Sequence, residues 1–107
     1  MTAFRSITTT NTGSSIKSTG ANVEYVNIIN KHNAAIFVRF YNSDVATFQD
    51  TPVFTIQVAA SVGSFTSLAG KCLFGTSDGL SVRVVTDAAD NGNTAATTLP
   101  VLEIQYN

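Results

Sequence analysis

The sequence predicts an all-β protein, a single antiparallel β-sandwich over residues 23–107 preceded by an extended N-terminal arm over residues 1–22. Three observations carry this. Runs of alternating apolar and polar residues recur at spacings of roughly ten residues, about seven or eight short strands in all. Thr is the commonest residue, with Ser, Asn and Gly plentiful, which suits twisted sheets joined by short turns. No segment carries apolar residues at the three- and four-residue spacing of an amphipathic helix.

The clearest strand runs from Leu80 to Thr86. Leu80, Val82, Val84 and Thr86 fall on one face and Ser81, Arg83, Val85 and Asp87 on the other, the period of a strand with one buried side. Hydrophobicity then stops, and Asp87-Ala88-Ala89-Asp90-Asn91-Gly92-Asn93 reads as an exposed loop.

Residues 1–22 hold Thr, Ser, Gly13 and Gly20 with only Ala3, Phe4, Ile7 and Ile16 as scattered apolar groups. Such a stretch buries too little apolar area to order itself. It is either a ragged terminus or an arm lying on a neighbouring subunit. From Val23 to Ile29 a strand is expected, then a tight polar turn at Asn30-Lys31-His32-Asn33, then a second strand to Tyr41. The two read as a β-hairpin. Ile36, Val38 and Phe40 share one face of the second strand, and Phe37, Arg39 and Tyr41 the other, so it belongs in the middle of a sheet or against another subunit.

Pro52 lacks a backbone donor and opens the strand in which Phe54, Ile56 and Val58 point inward while Thr55 and Gln57 point out. Short strands are expected at Phe65 to Leu68, with a turn at Ala69-Gly70, and at Cys72-Leu73-Phe74. The last strand ends at Tyr106, with Leu102, Ile104 and Tyr106 on one side and Val101, Glu103 and Gln105 on the other.

The 107 residues fit one domain. Charged residues make up 12% of the chain against a usual share of roughly 25%, so the surface is covered by neutral polar groups and is poorly protected against association. The net charge of -1 and the scattered positions of Arg5, Lys17, Lys31, Arg39, Lys71 and Arg83 argue against nucleic acid. A single Cys72 leaves no internal disulfide, as expected of a protein made in a reducing compartment. No apolar run is long enough for a membrane span, and no secretory leader is recognisable.

Chemistry finds little purchase. His32, the only histidine, sits in a turn and reads as solvated; Cys72 reads as a buried structural thiol; one Cys and one His build no zinc site. The Asp87 to Asn93 loop offers oxygen ligands, with Asp87 and Asp90 the weak candidates for an ion, but the twelfth position from Asp87 is Thr98 where a calcium loop needs Glu. Glu24, Asp44, Asp50, Asp78, Asp87, Asp90 and Glu103 show no spacing that singles out a catalytic pair. No phosphate cradle and no Trp for sugar stacking are present. No enzyme activity, cofactor or metal is expected.

Pro52-Val53-Phe54-Thr55-Ile56, the Gly79 to Thr86 strand, Asp87-Ala88-Ala89-Asp90, the closing Glu103-Ile104-Gln105-Tyr106, and the Tyr25 to Tyr41 segment with its Asn-Ala-Ala link resemble small tailed-bacteriophage virion proteins. The resemblance covers roughly residues 23 to 107. It implies a jelly-roll type sandwich that decorates or cements the capsid, binding the major capsid protein on the virion surface as a cluster of copies, with a homotrimer expected. On this reading Phe4, Arg5, Ile7, Phe37, Arg39 and Tyr41 are the interface candidates. A head-to-tail connection, a tail or fibre part, and a carbohydrate-binding module are the alternatives.

Overall fold

The computed structural model describes residues 2–47, 49–61, 63–67 and 72–107. The expected turn at Ala69-Gly70, the end of the Phe65 to Leu68 run, and Lys71 lie outside the described residues. Nine strands are present among those described: β1 (Thr2–Ser6), β2 (Ser14–Lys17), β3 (Asn22–Asn30), β4 (Ile36–Tyr41), β5 (Phe54–Val58), β6 (Gly63–Thr66), β7 (Phe74–Gly75), β8 (Leu80–Val85) and β9 (Val101–Tyr106). They form two antiparallel sheets packed face to face, the expected β-sandwich. Sheet A runs β1-β9-β3-β6, with β7 pairing the other half of β3's outer edge; sheet B runs β2-β8-β4-β5.

The pairings nest. β4 pairs β5, β3 pairs β6, β2 pairs β8 and β1 pairs β9, so the chain is one long hairpin, turned between β4 and β5 and wound over itself. The inward residues follow the period of two. Val26 and Ile28 from β3, Val38 and Phe40 from β4, Ile56 and Val58 from β5, Val82 and Val84 from β8, and Leu102 and Ile104 from β9 make one core, each no more than 5% exposed. Phe74 closes one side of it, stacked on Phe54 at 4.9 Å and tilted against Phe40 at 5.1 Å between ring centroids.

Two expectations need correction. Residues Val23 to Tyr41 are not a hairpin, because β3 lies in sheet A and β4 in sheet B. Crossing between sheets lets the apolar face of β3 cover that of β4, whereas pairing them would leave both facing the same way. Asn30 secures the crossing. Wholly buried, its amide donates to the carbonyls of Ala34 (3.0 Å), Val58 (3.2 Å) and Ala59 (2.8 Å), and its Oδ1 accepts the His32 N–H (2.9 Å). Nor does the N-terminal segment stand away as an arm. Its polarity had argued against self-ordering, but β1 and β2 order by pairing with β9 and β8, where ladder bonds replace the missing apolar area. Gly13, at φ 83°, makes the turn into β2, and a Cβ there would lie 2.8 Å from the Val82 carbonyl oxygen.

Removing residues 2–20 should therefore abolish the cooperative thermal transition, since it strips one strand from each sheet; a truncated chain that still melts in one sharp step would contradict this fold. Asn30→Ala should cost about 1–3 kcal/mol in chemical denaturation, the penalty for stranding buried carbonyls.

Candidate functional site

The protein's own loops cover the outer face of sheet B over β4 and β8, while Thr55 and Gln57 of β5 stay exposed. All six residues of β8 are buried, so the expectation of one exposed face fails there. The reason is a pair of arginines. Arg39 on β4 and Arg83 on β8 stand directly opposite each other in register, both with 0% exposure. Among the described residues no carboxylate lies within ion-pair distance of either, and the donors that are met are met by backbone and neutral side chains.

Arg83 reaches two loops and the end of β4. Its Nε donates to the Asn11 carbonyl (2.7 Å) in the β1–β2 connection, its Nη1 to the Tyr41 hydroxyl (2.9 Å), and its Nη2 to the Gly92 carbonyl and Asn93 Oδ1 (both 2.9 Å). Arg39 Nη2 donates to the carbonyls of Asp87 (2.8 Å) and Ala88 (2.9 Å). Its Nε and Nη1 have no partner among the described residues, and its guanidinium sits 5.5 Å from the Phe37 ring centroid. The loops also hold one another: Asn11 Nδ2 donates to both oxygens of Asn93, and Val84 N–H to the Thr10 carbonyl.

Between the loops lies a cleft of about 350 Å³ lined by Asn11, Thr12, Ala46, Thr47 and Asn93. Its amides are turned on each other, which leaves few free donors for a ligand. Among the described residues no group of three or more His, Cys, Asp or Glu side chains could hold a metal. Asp90 is exposed, and the Asp87 carboxylate is engaged within its own loop, accepting the Thr94 N–H at 2.9 Å. That bond, with the Thr94 hydroxyl, the Asn93 N–H and the nearby Arg39 charge, holds the Asp87 carboxyl below its ordinary value.

The outer face of sheet A is uncovered. A polar ladder crosses four strands: Arg5 beside Glu103 (3.8 Å), Asn27 Nδ2 donating to Glu103 (2.8 Å), and Thr66 donating to Asn27 (2.8 Å). One row away, Ile29 opposes Val101, and Ile7 follows β1 on the same side; Ile7 and Ile29 are 54% and 37% exposed.

The interface candidates therefore divide. Arg5 and Ile7 are exposed at one edge of sheet A, and Phe4 turns inward against the core. Phe37 is half-buried; Arg39 and Tyr41 are sealed within the chain and are corrected from surface to interior. Two further readings are reversed. His32 is buried, with Nδ1 3.2 Å from the Thr97 hydroxyl, because the β8–β9 connection packs over its turn; Cys72 is exposed, since it precedes a strand of only two residues. Arg83, Asn11, Asn93 and Asn30 were not picked out beforehand. The one available signal was an arginine at a strand centre between valines.

Arg83→Met should cost about 2–4 kcal/mol, stranding several buried acceptors, whereas Arg39→Met should stay within about 1 kcal/mol because it also removes a buried cation with unmade bonds. Equal losses in urea unfolding would refute this ranking. Since Asp87 has a lowered folded value, its contribution is present above the unfolded value of about 3.9 and fades as pH falls through the folded one. Melting curves of wild type and Asp87→Asn should accordingly differ at pH 6 and converge on acidification; a constant gap would disprove it. Comparison of the chain with models of protein families, with curated proteins and with solved structures returns no match.

Proposed function

We propose that this chain is a non-enzymatic structural protein of a bacteriophage virion, made in the host cytoplasm, which binds the major capsid protein on the outside of the shell and stabilises it. The observation that carries this reading is the inequality of the two outer faces. In sheet B, loops that two buried arginines hold cover the outer side of β4 and β8 and leave Thr55 and Gln57 of β5 exposed, while sheet A offers a nearly neutral face with one polar ladder and exposed Ile7 and Ile29 flanking the buried Val101. A module that offers one open sheet face suits adhesion to a protein surface. Among the described residues the face lacks the clustered cations that a polyanion would require.

The order β1-β9-β3-β6 over β2-β8-β4-β5, with β7 as an addition, also supports a jelly roll, an architecture used by capsid and lectin domains. The resemblance of residues 23 to 107 to small virion proteins points the same way. Binding the assembled lattice in preference to its free subunits stabilises the shell by mass action, so the gain appears only once the shell exists.

The test is copy number. Purified particles should carry the protein in numbers that match the capsid lattice, and added protein should raise the temperature at which bare shells release their genome. Its absence from particles, or a few copies at the tail alone, would overturn the proposal.

A further inference from the structure

The sandwich has four free strand edges, and they are not alike. β2 is four residues long, carries Lys17 and slips register between Ser15 and Lys17. β5 starts just after Pro52, and Asn30 occupies the carbonyls of Val58 and Ala59 at its end. The outer neighbours of β3 are split into pieces of four and two residues. Each carries a device of the kind that blunts edge-to-edge pairing: a charge, a bulge, a proline, or mere shortness.

β1 differs. Its five residues Thr2-Ala3-Phe4-Arg5-Ser6 pair with β9 without a break in register and contain no proline and no bulge, and its one charge, Arg5, is answered by Glu103 of β9 at 3.8 Å. Among the described residues no strand lies beside its other edge. We propose that this edge pairs antiparallel with the β1 edge of a second copy, making one continuous sheet across a two-fold axis. The proposal deepens the adhesive reading above by naming a partner, and rests on it only for the purpose such pairing serves.

The sequence of β1 is self-complementary for this. With Phe4 on the axis, Phe4 meets its own copy on the inner side, where its ring is only partly covered by the core of its own chain. On the outer side Ala3 falls opposite the second copy's Arg5, a small residue leaving room for a long one. Thr2 meets Ser6. An isologous contact of this sort closes on itself, so it yields a pair and no fibre. It replaces the three-fold cluster expected from the resemblance with a two-fold unit. The contact is short, so pairing is weak in dilute solution and becomes effective where copies are crowded on a lattice.

Sedimentation of the full chain over rising concentration, with no shells present, tests this apart from capsid binding. The wild type should pass from monomer to dimer. Ala3→Lys puts like charges opposite each other twice per dimer and should weaken association roughly ten-fold, while Ala3→Glu adds two opposite-charge contacts and should tighten it by a similar factor. Ala3 is exposed on the outer face, so unchanged melting curves for both variants would show intact monomers. A wild type that stays monomeric at the highest attainable concentration, a trimer, or a dimer indifferent to both substitutions would overturn the proposal. Should the dimer form as described while purified particles lack the protein, only the capsid reading falls.

Discussion

Two like charges stand opposite each other on adjacent central strands, fully out of water. A cross-strand pair of this kind is unfavourable by itself, and burial without counter-ions adds to the cost. What offsets it is six acceptors: the carbonyls of Asn11, Asp87, Ala88 and Gly92, the Tyr41 hydroxyl and Asn93 Oδ1. Most of these come from the β1–β2 and β8–β9 loops, so the arginines can be buried only if those loops fold down. The loops, being polar and poor in apolar groups, have little else to fix them. Each requirement satisfies the other, and together they cover the outer side of the two central strands of sheet B.

The nested pairing explains the rest of the architecture. In a hairpin wound upon itself, the two ends of the chain come together last, as β1 against β9 on the edge of sheet A. That edge and its adjoining face carry Ile7 and Ile29, two of the four large apolar side chains exposed among the described residues, and the sole ion pair among those residues, Arg5 with Glu103. An exposed pair of this type contributes little to stability, at most about 1 kcal/mol. Its groups remain free to turn to a partner.

Much of the strand content was legible because alternation is a local signal. Phe54, Ile56 and Val58 point inward as their spacing requires, and so do Leu102 and Ile104. Where sequence reasoning failed, the cause was non-local. β1 and β2 are polar and look disordered until their partners, about 100 and about 65 residues away, supply a ladder. The crossing at Asn30 looked like a hairpin because Asn and Lys favour turns in either case, and only the need to bury both β3 and β4 decides between them. Arg39 and Tyr41 share a face that alternation marks as outward. Outward from the core is not the same as outward to solvent when a second layer of loops lies on top.

The central claim is that adhesion is confined to the sheet A side. Hydroxyl-radical footprinting of the protein, free and bound to shells, addresses it most directly. On binding, oxidation should fall at Ile7, Tyr25 and Ile29 and persist at Val45, which is 69% exposed in the β4–β5 loop on the far side. Protection of Val45 with Ile7 and Ile29 still reactive would contradict the account.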